Sequence, residues 1–208
     1  MESEPQKWHF HNVVDVDGPA HIIRAYLEQR DLRAILRLCL DERPVSAACD
    51  IGSGYGRMSQ VLSEFAAQVV GFERQREILQ EAKKLIPAVQ FKPIENITTL
   101  PVGDNSFELA LTFTVLQHIS DSEVQLVAKE IQRLLAPGGT LVICEETDPG
   151  HHEGEFEKLD GMFTIGRTTK MYQDIFSPMQ LIHTQKRIIE PGYPRPDVGT
   201  YMVFQIDN

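Results

Sequence analysis

The sequence predicts an α/β protein built on an open, doubly wound sheet, and three observations lead to this fold class. Short apolar stretches of strand length alternate with segments whose apolar residues recur at helical spacing. Such alternation indicates parallel strands joined by right-handed helical crossovers. The last two apolar stretches, 179–189 and 199–206, are separated only by a segment rich in glycine and proline, which suits an antiparallel hairpin at one edge.

The first helical pattern lies between Pro19 and Leu40. Asp17 and Asp31 stand where N-caps would begin two consecutive helices. Five strands are then predicted, at 45–50, 68–72, 89–92, 107–113 and 140–145. Three amphipathic helices are expected between them, at 58–65, 78–86 and 124–135. A capping-box pattern from Ser120 to Glu123 predicts the start of the last helix, and Pro137–Gly139 predicts its end.

Composition argues against several kinds of partner. The chain has 30 acidic and 20 basic residues, and a net charge of −10 repels nucleic-acid phosphates and anionic membranes. No apolar run approaches the roughly 20 residues that span a bilayer, and no secretory signal pattern begins the sequence. Cys39, Cys49 and Cys144 lie in apolar stretches, which favours reduced core thiols and a cytoplasmic protein.

The loop after the first strand carries the pattern G-x-G-x-G at Gly52, Gly54 and Gly56. Such a loop lets the backbone approach a nucleotide-like ligand, although a plain tight turn would use the same glycines. Arg57 occupies the place of the third glycine in the dinucleotide pattern G-x-G-x-x-G. Asp50 precedes the loop, where it would repel a pyrophosphate but attract an ammonium or sulfonium group. S-adenosylmethionine carries both groups and no phosphate.

Two more acids follow the next two strands. Glu73 lies about 20 residues beyond the glycine loop, where an acid accepts hydrogen bonds from ribose hydroxyls. The alternative is a solvated acid at the start of a helix. Glu95 could meet the adenine amino group. With Asp50, these residues mark the carboxyl ends of a parallel sheet, where such folds bind ligands.

Five segments, in order and at the expected spacing, resemble the successive motifs of class I S-adenosylmethionine-dependent methyltransferases. They are Ala48–Gly56, Val70–Glu73, Asn105–Glu108, Val115–Ile119 and Arg133–Gly139. The similarity covers about residues 43–146 and is nearest to the small-molecule group that includes the ubiquinone-biosynthesis type. It implies a Rossmann-like sheet of seven strands in the order 3-2-1-4-5-7-6, with the last strand antiparallel.

The resemblance also implies a division of the single domain 1–208. Its parts are an N-terminal helical cap, a cofactor-binding core, and a substrate-side cover with the edge strands, at 1–43, 44–146 and 147–208. The cofactor residues that we expect are Asp50, Gly52, Ser53, Gly54, Gly56, Glu73, Arg74, Glu95, Asn96 and Thr112. The family more often has Asp-Ala where this chain has Glu95–Asn96, so the adenine contact could move to Asn96.

The reaction leaves the methyl acceptor open. Methyl transfer from a sulfonium is an in-line displacement, to which the protein contributes mainly proximity, alignment and exclusion of water. Leu111–Val115 lacks the motifs of enzymes that methylate exocyclic amines, cytosine C5 or, with a metal, catechols. These subclasses are therefore disfavoured. The short chain, with no room for an appended recognition domain, and the net charge of −10 lead us to expect a small-molecule acceptor. Methylation of a protein side chain, or a catalytically silent module that binds a partner protein, are the alternatives.

Residues outside the common motifs are the candidates for the acceptor side. His118 could act as a general base or could simply pack near the cofactor. The aromatic segment Trp8–His11 could form a lid or pack against the sheet. The substrate-binding residues that we expect are Trp8, His11, Glu146, Arg167 and Tyr172. His151 and His152 lie among acids but without metal-ligand spacing, so no metal is expected and a solvated loop is favoured.

Overall fold

A computed structural model of the chain describes residues 19–40, 43–150, 164–187 and 199–207. Their strands form one seven-stranded sheet in the order 3-2-1-4-5-7-6. The strands are β1 Val45–Ile51, β2 Ala66–Glu73, β3 Gln90–Pro93, β4 Phe107–Phe113, β5 Leu135–Glu145, β6 Gln180–Lys186 and β7 Thr200–Gln205. The pairs among β1 to β5 are parallel, whereas β7 runs antiparallel to both β5 and β6. The expected fold class and strand order are confirmed.

Helices cover both faces of the sheet. They are α1 Pro19–Cys39, α2 Arg57–Leu62, α3 Arg76–Leu85, α4 Asp121–Leu134 and α5 Thr169–Ile175, with a 3₁₀ turn at Leu116–His118. Successive residues of a strand point to opposite faces, so Cys49 packs with α4 and α5 on one side, and Ala48 packs with α1, α2 and α3 on the other. The two apolar layers hold the strand ends in fixed positions.

Helix α1 corrects the prediction of two consecutive helices. It runs unbroken for 21 residues because neither glycine nor proline interrupts it after Pro19. Asp31 lies inside it and is buried, with Oδ1 accepting hydrogen bonds from the Arg30 guanidinium, so it is no N-cap. Asp17 lies outside the described residues. The buried face of α1 comes from its second half, while Ile22 and Tyr26 are exposed.

The junction of α4 and β5 differs from the expectation. Helix α4 ends at Leu134, before Pro137, and β5 begins at once. Pro137–Gly139 therefore lies within the strand, where Gly138 has a φ of 74° and the pairing of β5 with β4 shifts register. The start of α4 after Ser120 is confirmed, but the Ser120 hydroxyl bonds Glu123 Oε2 at 3.0 Å and caps no backbone amide.

Helix α5 has no counterpart among the predicted elements. Thr168 caps it, with Oγ1 accepting a hydrogen bond from the Met171 amide at 3.3 Å. The helix buries Tyr172 and Ile175 against the sheet. None of the helices in the described part of the chain is long and apolar enough to cross a membrane.

Candidate functional site

The ends of the central strands lie side by side at the carboxyl edge of the sheet. Ile51 at the end of β1 pairs with Phe72 of β2 on one side and with Thr112 of β4 on the other. The glycine loop follows β1 directly. Its first two amides, of Gly52 and Ser53, donate to the Phe72 carbonyl at 2.9 and 3.0 Å. The loop is thereby anchored over the end of β2.

The three glycines of the loop have positive φ values of 75°, 53° and 80° at Gly52, Gly54 and Gly56, which favour glycine sterically. A Cβ atom at Gly52 would approach Val115 Cγ2 to 2.6 Å, and one at Gly56 would approach Phe91 Cζ to 2.5 Å. A Cβ at Gly54 would meet no atom within 4 Å. Gly52 and Gly56 therefore permit close packing, while Gly54 faces open space.

Glu73 ends β2 directly beneath this open space. Its Oε2 accepts a hydrogen bond from the Gly54 amide at 3.0 Å, and its Oε1 accepts one from the Gln75 amide at 2.8 Å. The residue is only 9% exposed, which argues against a solvated acid at a helix start. Each carboxylate oxygen keeps a further lone pair, so the group can still accept hydrogen bonds from a ligand.

Asp50 and Ser53 lie buried beside the loop. The Asp50 carboxylate accepts a hydrogen bond from Ser59 Oγ at 2.6 Å. Burial raises the pKa of Asp50 to about 6, although the Ser59 bond and the Arg57 charge oppose the rise. The Ser53 hydroxyl has no hydrogen-bond partner among the described residues. A buried polar group without a partner costs free energy, which a ligand over the loop would recover.

The residues expected at the adenine end are exposed. Glu73, the residue expected to contact the ribose, pairs with Pro93 of β3, so the segment after β3 lies beside Glu73. Glu95 and Asn96 follow there, and Asn96 Oδ1 accepts a hydrogen bond from the Thr98 amide at 2.9 Å. Arg74 is exposed on the other side of Glu73. These side chains are accessible to a ligand that lies across the ends of β2 and β3.

Glu145, at the end of β5, is a site residue that the sequence interpretation missed. It is fully buried and accepts hydrogen bonds from Thr112 Oγ1 at 3.0 Å and from the Val115 and Gln117 amides at 3.2 and 3.1 Å. Burial raises the pKa of Glu145 to about 7. Thr112, expected at the cofactor, is fully buried and turned to this carboxylate. The available signal was an acid that ends a buried strand, as with Asp50.

The 3₁₀ turn brings His118 and Glu146 together through Gln117. The side-chain nitrogen Nε2 of Gln117 and His118 Nε2 are 3.2 Å apart, and Gln117 Oε1 accepts a hydrogen bond from the backbone amide of Glu146 at 2.9 Å. His118 is partly exposed, whereas Glu146 is 3% exposed and its Oε1 accepts from the Asp148 amide at 2.8 Å. Both residues thus lie beyond the ends of β4 and β5, where the acceptor side was expected.

The Arg167 side chain binds the same turn. Its guanidinium is fully buried and donates to the carbonyls of Leu116 and Ile119, at 2.8 and 2.6 Å, and to Asp121 Oδ1 at 2.9 Å. Tyr172 is fully buried near this guanidinium, and its hydroxyl makes no hydrogen bond of normal geometry with any described residue. Burial and the Glu145 charge raise the pKa of that hydroxyl. Arg167 therefore positions the turn, and the Tyr172 hydroxyl remains without a hydrogen-bond partner among the described residues.

A buried ion-pair cluster joins α1 to the glycine loop. Glu28, 2% exposed, pairs with Arg57 just after the loop, with Arg24 at 2.7 Å and with Arg187 at 2.9 Å. Although burial alone would raise it, the pKa of Glu28 is lowered to about 2 by the three guanidinium groups. Gln29 Nε2 also donates to the Arg57 carbonyl at 2.8 Å. No sequence signal links residues this far apart along the chain.

Some expected site residues lie outside the described ranges. These are Trp8 and His11; His151 and His152, for which a solvated loop and no metal were expected, also lie outside them. Within residues 19–40, 43–150, 164–187 and 199–207, no group of histidine, cysteine, aspartate and glutamate side chains is arranged to hold a metal ion.

Comparison with known proteins adds to this geometry. A family model described as a methyltransferase domain matches residues 49–143. A demethylmenaquinone methyltransferase of Tropheryma whipplei is 25% identical over 168 residues, 78% of this chain and 67% of that protein. An uncharacterized 37.1 kDa protein in transposon TN4556 of Streptomyces fradiae is 33% identical over 134 residues, 58% of this chain. The chain covers only 38% of the length of this second relative.

A solved structure shares the fold. The Burkholderia thailandensis 1,6-didemethyltoxoflavin-N1-methyltransferase, with bound 1,6-didemethyltoxoflavin and S-adenosylhomocysteine, has a TM-score of 0.73. It is 20% identical, and the match covers 96% of this chain and 84% of the other. At this identity the likeness concerns the fold alone, which agrees with the strand order observed here.

Proposed function

The chain belongs to the class I S-adenosylmethionine-dependent methyltransferase family, and we propose that it binds S-adenosylmethionine at the glycine loop and transfers the methyl group to a small-molecule acceptor. One observation carries the cofactor assignment. The loop is open at Gly54 and bordered by the carboxylates of Asp50 and Glu73, with the Ser53 hydroxyl unpartnered beside them. Two carboxylate acceptors and one hydroxyl suit a ligand with a cationic group and ribose hydroxyls better than a pyrophosphate.

Each residue of the loop edge has a part in this proposal. Glu73 accepts hydrogen bonds from the ribose hydroxyls, and Asp50 provides negative charge near the amino acid end of the ligand. Glu95 and Asn96 contact the adenine. When bound, the cofactor supplies an activated methyl group on sulfur. The acceptor's lone pair forms the new bond to the methyl carbon while the carbon–sulfur bond breaks and its electron pair stays on sulfur, leaving S-adenosylhomocysteine.

The acceptor side lies beyond β4 and β5. In this proposal His118 takes the proton that the acceptor loses, and Tyr172, whose side chain is fully buried, supports the acceptor side from within the core. Glu145 and Arg167 act through the backbone, because both bind the turn that carries His118. Trp8, His11 and Glu146 remain proposed contacts of the acceptor.

A small acceptor is supported by two relatives and by charge. One relative is named for demethylmenaquinone, and the solved structure holds 1,6-didemethyltoxoflavin. The net charge of −10 disfavours nucleic acid. The three cysteines are free thiols, which supports a reducing compartment such as the cytoplasm. A protein side chain as acceptor, or a silent module, would follow if no small molecule is methylated.

Calorimetry with S-adenosylmethionine, S-adenosylhomocysteine and NAD tests the cofactor assignment. We expect the first two to bind and NAD not to bind; tight NAD binding without affinity for the sulfonium compound would contradict it. Gly54→Ala should weaken binding at least about tenfold, because its methyl group enters the ligand's space. Gly103→Ala is the matched control, since its Cβ would only touch Ser106 Oγ at 3.7 Å. Incubation with labelled cofactor and a metabolite extract then identifies the acceptor.

A further inference from the structure

A cavity lies next to the proposed acceptor side. Its volume is about 470 Å³, within the range of ligand pockets. It is lined by Thr147 just after β5, Thr168–Lys170 at the start of α5, Thr184–Lys186 at the end of β6, and Thr200 at the start of β7. Thr147 and Thr168 are the chain neighbours of Glu146 and Arg167, so the cavity opens next to the turn that carries His118.

The lining of this cavity is cationic and rich in hydroxyl donors. Its lining, among the residues that the structure describes, consists of threonines, lysines and one glutamine without a carboxylate, although the chain as a whole has a net charge of −10. Among the described residues none forms an ion pair with Lys186. Lys170 pairs with Asp174 at 2.6 Å, but both side chains are largely exposed, and such a surface pair is weak. An incoming anion can therefore compete for Lys170.

The threonines have protons to donate. The hydroxyls of Thr147 and Thr200 lie 2.7 Å apart, so one proton serves their mutual hydrogen bond and the second can reach a ligand. Thr168 Oγ1 accepts from the Met171 amide and keeps its own proton. Hydroxyl donors combined with ammonium groups are the partners that carboxylate and phosphate oxygens require.

We propose that this cavity binds an anionic group, a carboxylate or a phosphate, of the methyl acceptor. The inference rests on the proposed function and narrows it, since the substrates are then small acids. An anion held by Lys186 and the threonines orients the remainder of the acceptor toward the carboxyl ends of β4 and β5. Recognition at this point is separate from the cofactor loop, which lies over β1 and β2.

Nuclear magnetic resonance with inorganic phosphate and acetate as probes tests the anion site. The ¹⁵N-labelled protein is titrated with each anion in the presence of S-adenosylhomocysteine. We expect saturable shifts of the amides in Thr168–Lys170 and Thr184–Lys186. The variant Thr184→Val/Lys186→Gln should lose at least about tenfold in affinity, whereas Lys83→Gln, an exposed lysine on α3, should leave the affinity unchanged. The better probe distinguishes a phosphate from a carboxylate.

Other outcomes overturn the inference. If neither anion binds, or if both bind the double variant as they bind the wild type, the cavity is not an anion site. The labelled product from the metabolite extract should also carry negative charge and be retained on an anion exchanger; a neutral product would overturn the substrate class. A failure of S-adenosylhomocysteine to bind, with the anion site intact, would refute the proposed function and leave the site standing.

Discussion

At the scale of single residues, the site depends on acids whose surroundings differ. Glu73 is tied to two backbone amides and lies under the open side of the loop. Asp50 has a single side-chain donor, Ser59, and is fully buried, so its pKa is raised to about 6. The two carboxylates therefore differ in their surroundings, because backbone amides hold Glu73 whereas burial disfavours the charged form of Asp50.

Replacing Glu73 tests its contact with the cofactor. Glu73→Ala should weaken binding of S-adenosylhomocysteine by about 1–3 kcal/mol, the usual cost of losing a hydrogen bond to a charged group. Glu77→Ala is the control, since Glu77 is an exposed acid of α3. Isothermal calorimetry of both variants gives the comparison. Equal affinity of wild type and Glu73→Ala would remove Glu73 from the cofactor site.

The raised pKa of Asp50 predicts a pH dependence of cofactor binding. Below a pH of about 6 the carboxyl group is protonated and neutral, and above it the group is ionised. Attraction to the cationic cofactor is therefore present above about pH 6 and is lost as the pH falls through that value. Dissociation constants measured between about pH 5 and 8 should show this decline, and Asp50→Asn should abolish it. A flat wild-type profile would contradict the role of Asp50.

Among the secondary-structure elements, the 3₁₀ turn after β4 carries His118, the proposed base of the acceptor side. Glu145 accepts from the amides of Val115 and Gln117, and Arg167 donates to the carbonyls of Leu116 and Ile119, at the start of the turn and just after its end. The guanidinium is fully buried and its donors are directed at backbone and at Asp121, so it rigidifies the turn. His118 therefore sits on a turn that two buried charged groups hold in place.

His118→Gln tests whether the turn carries a general base. Turnover should fall by about 10²–10⁴-fold, because proton transfer by a positioned side chain contributes that much. Cofactor affinity should stay nearly unchanged, since the cofactor loop lies over β1 and β2. Single-turnover assays and calorimetry separate the two effects. A loss of less than about tenfold in turnover would mean that positioning and desolvation alone carry the reaction.

At the scale of the whole molecule, Glu28 connects three regions that are distant in sequence. It belongs to α1, while its partners Arg57 and Arg187 follow the glycine loop and β6. Tyr201 of β7 donates its hydroxyl to the Glu28 carbonyl at 3.1 Å, which ties α1 to the sheet once more. The helix that precedes the methyltransferase core is thereby joined to the cofactor loop and to the antiparallel edge.

Removing the charge of Glu28 should destabilise the fold. Glu28→Gln leaves three arginines around a neutral group and should lower the free energy of unfolding by about 3–5 kcal/mol at neutral pH. Glu64→Gln is the matched control, because Glu64 pairs with Arg33 on an exposed surface and should contribute at most about 1 kcal/mol. Urea unfolding of both variants provides the measurement.

The pH dependence of this effect has a definite sign. The pKa of Glu28 is lowered in the folded protein, from 4.5 to about 2, so its stabilisation is present above pH 4.5 and is lost as the pH falls toward 2. The difference between wild type and Glu28→Gln should therefore shrink over that interval. A constant difference across it would show that the charge of Glu28 does not stabilise the fold.

The amino-acid sequence was sufficient to predict the fold class and to place Asp50, Glu73 and the glycine loop at one edge of the sheet. Strand and helix periodicities are local signals, and an acid or glycine that ends a buried strand must lie at the carboxyl edge of a parallel sheet. Asp50, Glu73 and the glycine loop could therefore be located before any coordinates, and the structure brings them together. The single long α1 and the helix α5 could not be located in this way, because residues that favour helix starts also occur inside helices and loops, as Asp31 does.

Which distant side chains come into contact could be seen only in the folded protein. Glu28, Arg57 and Arg187 carry no common local pattern, and they meet because α1 packs on the sheet face that includes residues of β1 and β7. Arg167 was expected to contact the substrate, but its guanidinium supports the turn that carries His118. Lys186 lines a cavity whose described lining residues include no acid. Local sequence dictates backbone periodicity, whereas contacts between distant residues depend on how the layers pack.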